Sequence, residues 1–334
     1  MIEPQSTDPL SDVLSLLKPH TYKAGGFDVG GKFAIHFPDH PGVKCYAVTS
    51  GSGWLAFDDG TATVRLAAGD CFILPTGRGF RLATDLATTA REFYEILAEM
   101  QQGCSASNSN MRTINGGGGL SIVGGFFILS GAHADIFREA LPPIAHLRTD
   151  SDREALRWSM ERMRQELSEN RPGSALVAQH LAHMMFVQAL RLHVEQGSDN
   201  TTGWLAALAD KQMAAAIGSM HSEPARQWTL EELATRAGMS RSSFAANFKA
   251  KVALTPMEYL TRWRMMLAAD KVTTTACTIA EIAITLGYES ESSFSTAFKR
   301  VMGCSPRQFA RKEAASAPVS QPEAQSMTAL SEVA

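Results

Sequence analysis

The C-terminal quarter of the chain contains the same segment twice. TLEELATRAGMSRSSFAANFK, which begins at residue 229, is followed about fifty residues later by TIAEIAITLGYESESSFSTAFK, which begins at residue 278. The copies differ in length by one residue, in the segment that follows the shared glycine, Gly238 in the first and Gly287 in the second. This duplication constrains the fold strongly, because both copies must form the same local structure.

Each copy predicts a helix-turn-helix unit, the first over residues 229–250 and the second over residues 278–300. In the first copy, Thr229 and a glutamate three residues later match the capping box that begins a helix. Gly238 ends this short helix, because the turn needs a residue that takes positive φ readily. Ser240 then caps a second helix, and the second copy repeats the same signals.

The second helix of each unit carries two phenylalanines four residues apart, which predicts one buried face and one outward face. The outward faces are short, polar or cationic, and they suit the floor of a DNA groove and its flanking phosphates. The candidate DNA-binding residues are Arg241, Ser242, Ala245, Ala246, Lys249, Ser290, Ser292, Ser295, Thr296, Lys299 and Arg300. Helix-turn-helix geometry also occurs in purely structural helical domains, but two copies in register favour DNA.

The duplicated segment resembles the AraC/XylS family of bacterial transcription regulators. The motifs WTLEELA, AGMSRSSFAANFK, TPMEYLTRWRMMLAAD, IAEIA and LGYESESSFSTAFKRVMGCSPRQF follow the family's order and spacing. The resemblance implies two helix-turn-helix units that enter successive major grooves and are joined by a long helix, here Pro256 to about Val272. Such a helix would be about 25 Å long, of the order needed to span one DNA turn of ~34 Å. Promoter DNA and RNA polymerase are the partners that the resemblance implies.

The second helix of each unit, which would read the DNA bases and is called the reading helix below, departs from the family pattern at one matched position. Many members carry an arginine on each helix where this chain has Ala246 and Thr296. Arginine to guanine is the commonest specific base contact. We therefore expect recognition to depend more on the remaining polar side chains, on methyl contacts and on DNA shape.

The charge is distributed as a DNA-binding C-terminal domain requires. The whole chain has a net charge of −3, but residues 224–313 hold 13 Lys/Arg and 8 Asp/Glu, a net charge of +5. The rest of the chain, with 18 Lys/Arg and 26 Asp/Glu, has a net charge of −8. The basic excess therefore coincides with the repeat.

The cysteines and the N-terminal sequence indicate a cytoplasmic protein. The five cysteines form no CxxC pair, which argues against a disulfide framework and a zinc site. Cys277 and Cys304 are predicted to be small buried residues. The N-terminus lacks a basic start and a long apolar run, so we expect neither a signal peptide nor a membrane partner.

The N-terminal half predicts a jelly-roll, cupin-like β-sandwich. Short alternating runs with frequent turns extend from about Lys32 to Arg81. The spacing of Gly69, Pro75 and Gly77 resembles the second motif of the cupin fold. The predicted fold class is therefore multidomain α+β, with this sandwich, a helical middle region and an all-α tandem helix-turn-helix domain.

The resemblance to cupins concerns shape and not metal chemistry. The four metal-ligand positions of a cupin correspond to Pro38, His40, Lys44 and Phe80, and one imidazole beside an ammonium group cannot hold a divalent ion. We therefore expect no metal, no cofactor and no enzymatic activity. A small-molecule effector is expected in an apolar cavity, for which the candidate residues are Tyr46, Trp54, Phe72 and Phe80. These aromatics would equally well simply fill the sandwich.

Two other patterns are weak candidates for sites. Gly116–Gly119 resembles a phosphate-binding loop in composition only, so a turn between strands is favoured. His180 and His183 share a helix face, but no carboxylate stands at a ligand spacing.

The remaining boundaries follow from composition. The predicted domains are a cupin-like sensor over 1–145, a helical dimerisation and linker region over 150–221, the DNA-binding domain over 224–313 and a disordered tail over 314–334. The helical region is more apolar than one buried stripe requires, which favours a homodimer over packing on its own sandwich alone.

Three functions remain to be compared. The leading hypothesis is an effector-controlled transcription regulator. The second is an enzyme built on the cupin-like domain, which stoichiometric bound metal would favour. The third is a DNA-binding module controlled by protein contacts alone, which a sandwich without a cavity would favour.

Overall fold

The chain forms two compact units. The computed structural model describes residues 8–17, 21–102, 110–129, 137–138, 141–169, 171–196 and 203–316. The sheet unit takes the described residues of Pro19–Leu129 and Pro142–Glu195, and the helical unit takes those of Met1–Lys18, Ser130–Leu141 and Gln196–Gln321.

The sheet unit contains the cupin-type β structure that the sequence predicts. Its described strands are β1 (Thr21–Val29), β2 (Ala34–Phe37), β3 (Val43–Phe57), β4 (Thr63–Ala67), β5 (Cys71–Leu74), β6 (Phe80–Ala83), β7 (Arg91–Glu92), β8 (Met111–Ile114), β9 (Leu120–Ile128) and β10 (Ala145–Leu147). They are hydrogen-bonded in the order β7-β2-β6-β3-β9-β1-β8, with β4 and β5 also paired to β3 and β10 paired to β5.

Strand β3 belongs to both layers of the sandwich. Its first half, from Val43 to Gly51, pairs with β5 and β9, whereas its second half, from Ser52 onward, pairs with β4 and β6. The change of partners coincides with an irregularity in register between Val48 and Ser50. A bulge of this kind bends a strand and increases its twist, which lets one strand serve two layers.

The sandwich encloses an apolar core that extends to helix α2 (Phe93–Gln102). Alternate residues of β3, such as Val48, Leu55 and Phe57, point inward and are almost completely buried. Phe93 of α2 packs against the ring of Phe37 at a centroid distance of 4.6 Å. This alternation of buried and open positions is the pattern by which the sequence predicts strands.

Two long helices, α3 (Asp150–Glu169) and α4 (Ser174–Gln196), complete the sheet unit. Asp70 is 2% exposed and accepts hydrogen bonds from His146 and from Arg153 of α3, which ties that helix to the sheet. Phe186 of α4 stacks on Phe127 of β9 at 4.8 Å. Part of the predicted helical region 150–221 therefore packs on the sheet.

The helical unit contains both helix-turn-helix units. Its described helices are α1 (Pro9–Leu16), α5 (Trp204–Ala207), α6 (Lys211–Ser222), α7 (Leu230–Arg236), α8 (Arg241–Val252), α9 (Pro256–Thr274), α10 (Ile279–Thr285), α11 (Glu291–Met302) and α12 (Pro306–Ser316). The first three residues of the predicted disordered tail, 314–316, instead end helix α12, and the rest of that tail lies outside the described residues.

Helix α1 comes from the opposite end of the chain and packs on α6 and α9. Leu10 and Val13 of α1 are buried there. His221 of α6 lies parallel to the ring of Trp263 at 3.8 Å, and its ring nitrogens lie 3.2 Å from the carboxylate of Asp12 and 2.8 Å from the hydroxyl of Tyr259. Burial lowers the pKa of His221, although Asp12 opposes this effect.

The segment Gly116–Gly119 lies in the turn between β8 and β9, where Gly118 donates a backbone hydrogen bond to Asp28. This agrees with a strand-to-strand turn.

None of the described helices is both long and apolar enough to cross a lipid bilayer.

Candidate nucleic-acid interface and ligand cavity

The first helix-turn-helix unit consists of α7 and α8. The Thr229 hydroxyl accepts a hydrogen bond from the Glu232 backbone, and the Glu232 carboxylate accepts one from the Thr229 backbone. This capping box lowers the pKa of Glu232 to about 2, because backbone and side-chain donors at Thr229, together with Arg226, favour the charged carboxylate. Gly238 has a φ of 64°, and Ser240 then caps α8.

The second unit, α10 and α11, repeats this construction. Thr278 and Glu281 form the capping box of α10, and Ser290 caps α11 through the backbone of Ser293. A third capping box, Thr255 with Glu258, begins the connecting helix α9. The start of each of these helices is therefore fixed by residues three positions apart, which is why the sequence alone predicts them.

The inner faces of the two reading helices, α8 and α11, are equivalent. Phe244, Phe248, Phe294 and Phe298 have no exposed surface. Phe248 meets Tyr259 edge-on at 5.8 Å, and Phe298 meets Phe309 edge-on at 5.6 Å. The burial of these rings turns the opposite face of each reading helix outward.

The outer face of α8 is open. Arg241, Ser242, Ala246 and Lys249 are exposed, and Ala245 is half-buried. Neither Arg241 nor Lys249 forms a salt bridge with a described residue, so both cations are available to an anionic partner. Lys251, on the same helix, is instead paired with Asp210.

The outer face of α11 forms one wall of a shallow depression. Its lining residues are Ser292, Ser295, Thr296, Lys299, Arg300 and Ser305. Lys299 and Arg300 are exposed and form no salt bridge with a described residue. The Ser290 hydroxyl already accepts the capping bond, and the Thr296 hydroxyl donates to the Ser292 carbonyl at 2.9 Å. Ser290 would therefore have to share its hydroxyl with DNA, whereas Thr296 keeps an exposed methyl group.

Helix α9 holds the two helix-turn-helix units together. It has 19 residues and is therefore about 28 Å long. Arg264 of α9 is 8% exposed and donates to the carbonyls of Pro224 at 2.6 Å and Arg226 at 2.8 Å. Its guanidinium also lies 5.6 Å from the ring of Tyr288, in the second unit. Burial lowers the pKa of Arg264, although the neighbouring Tyr288 opposes that effect.

A close contact between two backbone segments also joins the two helix-turn-helix units. Gly287 ends α10 with a φ of 79°, and a Cβ atom placed there would lie 2.1 Å from the carbonyl oxygen of Ala225. The Gln227 side chain donates to the Gly287 carbonyl. Only glycine fits this position without a shift of the backbone, so the second turn is held against the segment that leads into the first unit.

Two cysteine expectations need correction. Cys277 is exposed and Cys304 is half-buried, whereas the sequence predicted both as buried. Cys277 precedes the Thr278 cap, at the position that buried Trp228 occupies in the first unit. Cys45 and Cys71, on adjacent strands, have their sulfur atoms 4.0 Å apart in the buried core.

The sheet unit contains a cavity of about 280 Å³. Strands β1 and β3 and helices α2 and α4 contribute to its wall. Three of the positions that correspond to cupin metal ligands, Pro38, His40 and Lys44, lie in this wall. Within the described ranges, no three His, Cys, Asp or Glu side chains come together as a metal-binding group.

The predicted ligand-binding aromatics are distributed unequally around the cavity. Tyr46 lines it. Phe72 and Phe80 lie in the core beside it, Phe72 at 6.1 Å from the Tyr46 ring and Phe80 stacked at 4.7 Å on the lining residue Phe37. Trp54 is half-buried on the alternate face of β3, near Arg65, and is not a lining residue.

The paired histidines of α4 have ordinary environments. His183 lies against the Phe127 ring at 6.4 Å, and burial lowers its pKa, with a smaller contribution from His180. His180 is exposed.

Sequence reasoning missed two positions that the structure brings into functional regions, and it considered a third, Lys44, only as a position where a cupin metal ligand is absent. Arg264 bridges the two helix-turn-helix units, His221 contacts Asp12 of α1, and Lys44 lines the cavity. An arginine within the otherwise apolar run of residues 263–269 was a visible signal for the first of these. The other two depend on contacts between distant parts of the chain.

Family models match both halves of the chain. A model of the cupin domain matches residues 8–195, and a model of the helix-turn-helix domain matches residues 233–312. The chain is 37% identical over 303 residues to a Streptomyces antibioticus protein described as an AraC-like transcription regulator, which covers 90% of this chain and 98% of that protein. It is 29% identical over 287 residues to the HTH-type transcriptional regulator AlkR of Acinetobacter baylyi, which covers 84% of this chain and 91% of AlkR.

Solved structures resemble the chain more distantly. The DNA-binding domain of AdpA in complex with a target DNA is 26% identical, covering 32% of this chain and 96% of that domain with a TM-score of 0.30. ToxT from Vibrio cholerae is 12% identical, covering 87% of this chain and 96% of ToxT with a TM-score of 0.34.

Proposed function

Because the chain belongs to the AraC family of DNA-binding transcription regulators, we propose that its two reading helices enter adjacent major grooves on one side of promoter DNA. The contacts are assigned to Arg241, Ser242, Ala245, Ala246 and Lys249 of the first unit. In the second unit they are assigned to Ser290, Ser292, Ser295, Thr296, Lys299 and Arg300. The cations meet phosphates, and the smaller side chains meet base edges and thymine methyl groups.

The observation that carries this proposal is the outward position of these residues on two helices that one rigid connection holds. The exposed cations of α8 and α11 form no salt bridge with a described carboxylate, whereas Lys251 on α8 is paired with Asp210. Arg264 and Gly287 link the two helix-turn-helix units, because each contacts the segment of residues 224–226 that leads into the first of them. A rigid pair of helix-turn-helix units binds tightly only when the two half-sites have the right spacing as well as the right sequence.

The cupin domain supplies control and not catalysis in this proposal. Its cavity would accept an effector that favours one arrangement of the protein, and such an effector acts only if its affinity differs between the two arrangements. The proposal includes a homodimer, and exposed Trp158 on α3 is a candidate contact, with 65% of its surface open. RNA polymerase is the second protein partner.

The test uses the spacing of the two half-sites. Selection from random DNA with the full-length protein identifies the preferred site, and inserting 5 base pairs between its halves rotates one groove by about half a turn. We expect the affinity to fall to that of a single half-site, since a rigid pair cannot follow the rotated groove. Equal binding to the two DNAs would contradict the two-groove arrangement. A mutated base outside both half-sites serves as the matched control.

A further inference from the structure

The cavity of the sheet unit has cationic and neutral polar groups but no described carboxylate in its wall. Its basic residues are Lys23, Lys44 and Arg112, and its apolar surface comes mainly from Phe27, Phe37, Phe93 and Phe126. A cavity of about 280 Å³ is larger than the ~150 Å³ cavity that admits benzene. It therefore has room for one ring or a short alkyl chain together with a headgroup.

Lys44 is the charged group that is placed deepest. Its ammonium nitrogen lies 4.9 Å from the ring centroids of both Phe37 and Phe80, and no described residue forms a salt bridge with it. Burial lowers the pKa of Lys44 to about 7. The two rings offset only part of the cost of burying an ammonium group, so an anion in the cavity would stabilise its charged form.

Tyr46 provides a second donor on the same face of β3. It is two residues from Lys44, so both side chains point to the same side of the strand, and both line the cavity. No hydrogen bond from a described residue reaches its hydroxyl. Burial raises the pKa of Tyr46, which keeps the hydroxyl protonated and able to donate.

His40 adds an unsatisfied polar group beside this pair. Both of its ring nitrogens are shielded from solvent and have no hydrogen-bond partner in good geometry among the described residues. Burial, and to a lesser degree Lys44, lower the pKa of His40 to about 3, so the ring is neutral at physiological pH. A buried polar group without a partner costs roughly 1–3 kcal/mol, and a ligand is one explanation for its retention.

We propose that this cavity binds a small apolar monocarboxylate, aromatic or short-chain aliphatic, whose headgroup pairs with the Lys44 ammonium and accepts a hydrogen bond from the Tyr46 hydroxyl. The inference rests on the proposed effector control of the cupin domain. A dianion such as phosphate is disfavoured at this pair, because the Lys44 ammonium and the Tyr46 hydroxyl lie between aromatic rings and cannot together replace its hydration. The His40 ring, whose nitrogens have no hydrogen-bond partner among the described residues, lines the same cavity and gains a possible partner in this headgroup.

The experiment titrates the full-length protein with benzoate and hexanoate by isothermal calorimetry, and with benzamide and hexanamide as neutral counterparts of the same shape. We expect one carboxylate or both to bind at one site per chain, and its amide to bind at least about tenfold more weakly. Above pH 7 the carboxylate affinity should fall about tenfold per pH unit, because the empty cavity then favours the neutral amine. The heat should depend on the buffer, since binding takes up a proton.

Two variants assign the contacts. Lys44→Met keeps the length of the side chain and removes a buried charge, so the protein should stay folded and lose carboxylate affinity at least about tenfold, together with the buffer-dependent heat. Tyr46→Phe should lose affinity about fivefold and keep the pH dependence. Arg65→Met, near Trp54 on the alternate face, serves as the control and should bind as the wild type.

Failure to bind either carboxylate, equal affinity for carboxylate and amide, or full affinity in Lys44→Met would overturn the inference. The same protein is tested for binding to its selected DNA site in parallel. If the full-length protein binds its selected DNA site but neither carboxylate, only this inference is overturned. If it shows no specific DNA binding, the proposed function is overturned.

Discussion

The two helix-turn-helix units bury the same residues and expose different ones. Phe244 and Phe248 of the first unit match Phe294 and Phe298 of the second, and all four are fully buried. The first outward residue of each reading helix is Arg241 in α8 but Glu291 in α11, with opposite charges. Packing restricts the inner faces, because a lost methylene group leaves a cavity, whereas the outer faces are mostly exposed and are not packed into the core.

Under the proposed function, this difference predicts that the two helix-turn-helix units read different sequences. Ala245 and Ala246 of α8 match Ser295 and Thr296 of α11, and a serine hydroxyl can hydrogen-bond to a base edge whereas an alanine methyl group cannot, so two half-sites of the same sequence would not suit both helices. Thr296 offers an exposed methyl group where Ala246 offers a smaller one. We expect the preferred DNA site to lack internal symmetry, so that it fixes the direction in which one chain lies on the promoter.

The largest predicted effect tests whether the two inner faces are equivalent. Phe244→Ala and Phe294→Ala should each lower the free energy of unfolding of the helical unit by roughly 3–5 kcal/mol, because each leaves a cavity. Hydrogen exchange of peptides from α7–α8 and α10–α11 in the full-length protein measures the loss in each unit. Exchange in one variant that matches the wild type would mean that its reading helix packs differently from its counterpart.

An intermediate effect should distinguish the ends of the two reading helices. Ala253 and Gly303 both follow a reading helix with left-handed backbone, at φ values of 64° and 76°. Because a Cβ atom is unfavourable there, Ala253→Gly should stabilise the protein by about 1 kcal/mol and Gly303→Ala should destabilise it by a similar amount.

Ala250→Gly is the matched control for this pair, since Ala250 lies inside α8 with ordinary helical backbone. It should destabilise the protein by about 1 kcal/mol, opposite in sign to Ala253→Gly. Urea denaturation measures all three variants. The same sign for Ala250→Gly and Ala253→Gly would be incompatible with a left-handed conformation at Ala253.

The smallest predicted effect concerns the outer faces. Lys249→Ala and Lys299→Ala should each reduce the slope of log affinity against log salt concentration by about 0.9, because each removes one phosphate contact. Lys211→Ala, at the exposed start of α6, is the control and should leave the slope unchanged. Fluorescence anisotropy on specific and unrelated DNA measures the slopes, and an unchanged slope in Lys249→Ala would remove that lysine from the phosphate contacts.

The sequence predicts best the features that neighbouring residues determine. The capping boxes at Thr229 and Thr278, the turns at Gly238 and Gly287, and the buried phenylalanines all depend on spacings within one or two turns of helix. The family models confirm the cupin domain and the helix-turn-helix domain.

The features that the sequence could not predict depend on register and distant contacts. Trp54 and Tyr46 belong to the same strand, but the irregularity between Val48 and Ser50 separates their surroundings, and Trp54 does not line the cavity. The partnership of Arg264 with Pro224 likewise spans 40 residues. Contacts of this kind leave no periodic signal in the chain.

The position of helix α1 has a consequence for synthesis. Its partners α6 and α9 leave the ribosome about 200 residues after it. At 5–20 residues per second, roughly 10–50 s pass before α1 can dock, and the entire sheet unit is translated in that interval. Because the helical unit takes residues from both sides of the sheet unit in the sequence, it cannot complete its fold until the sheet unit has been translated.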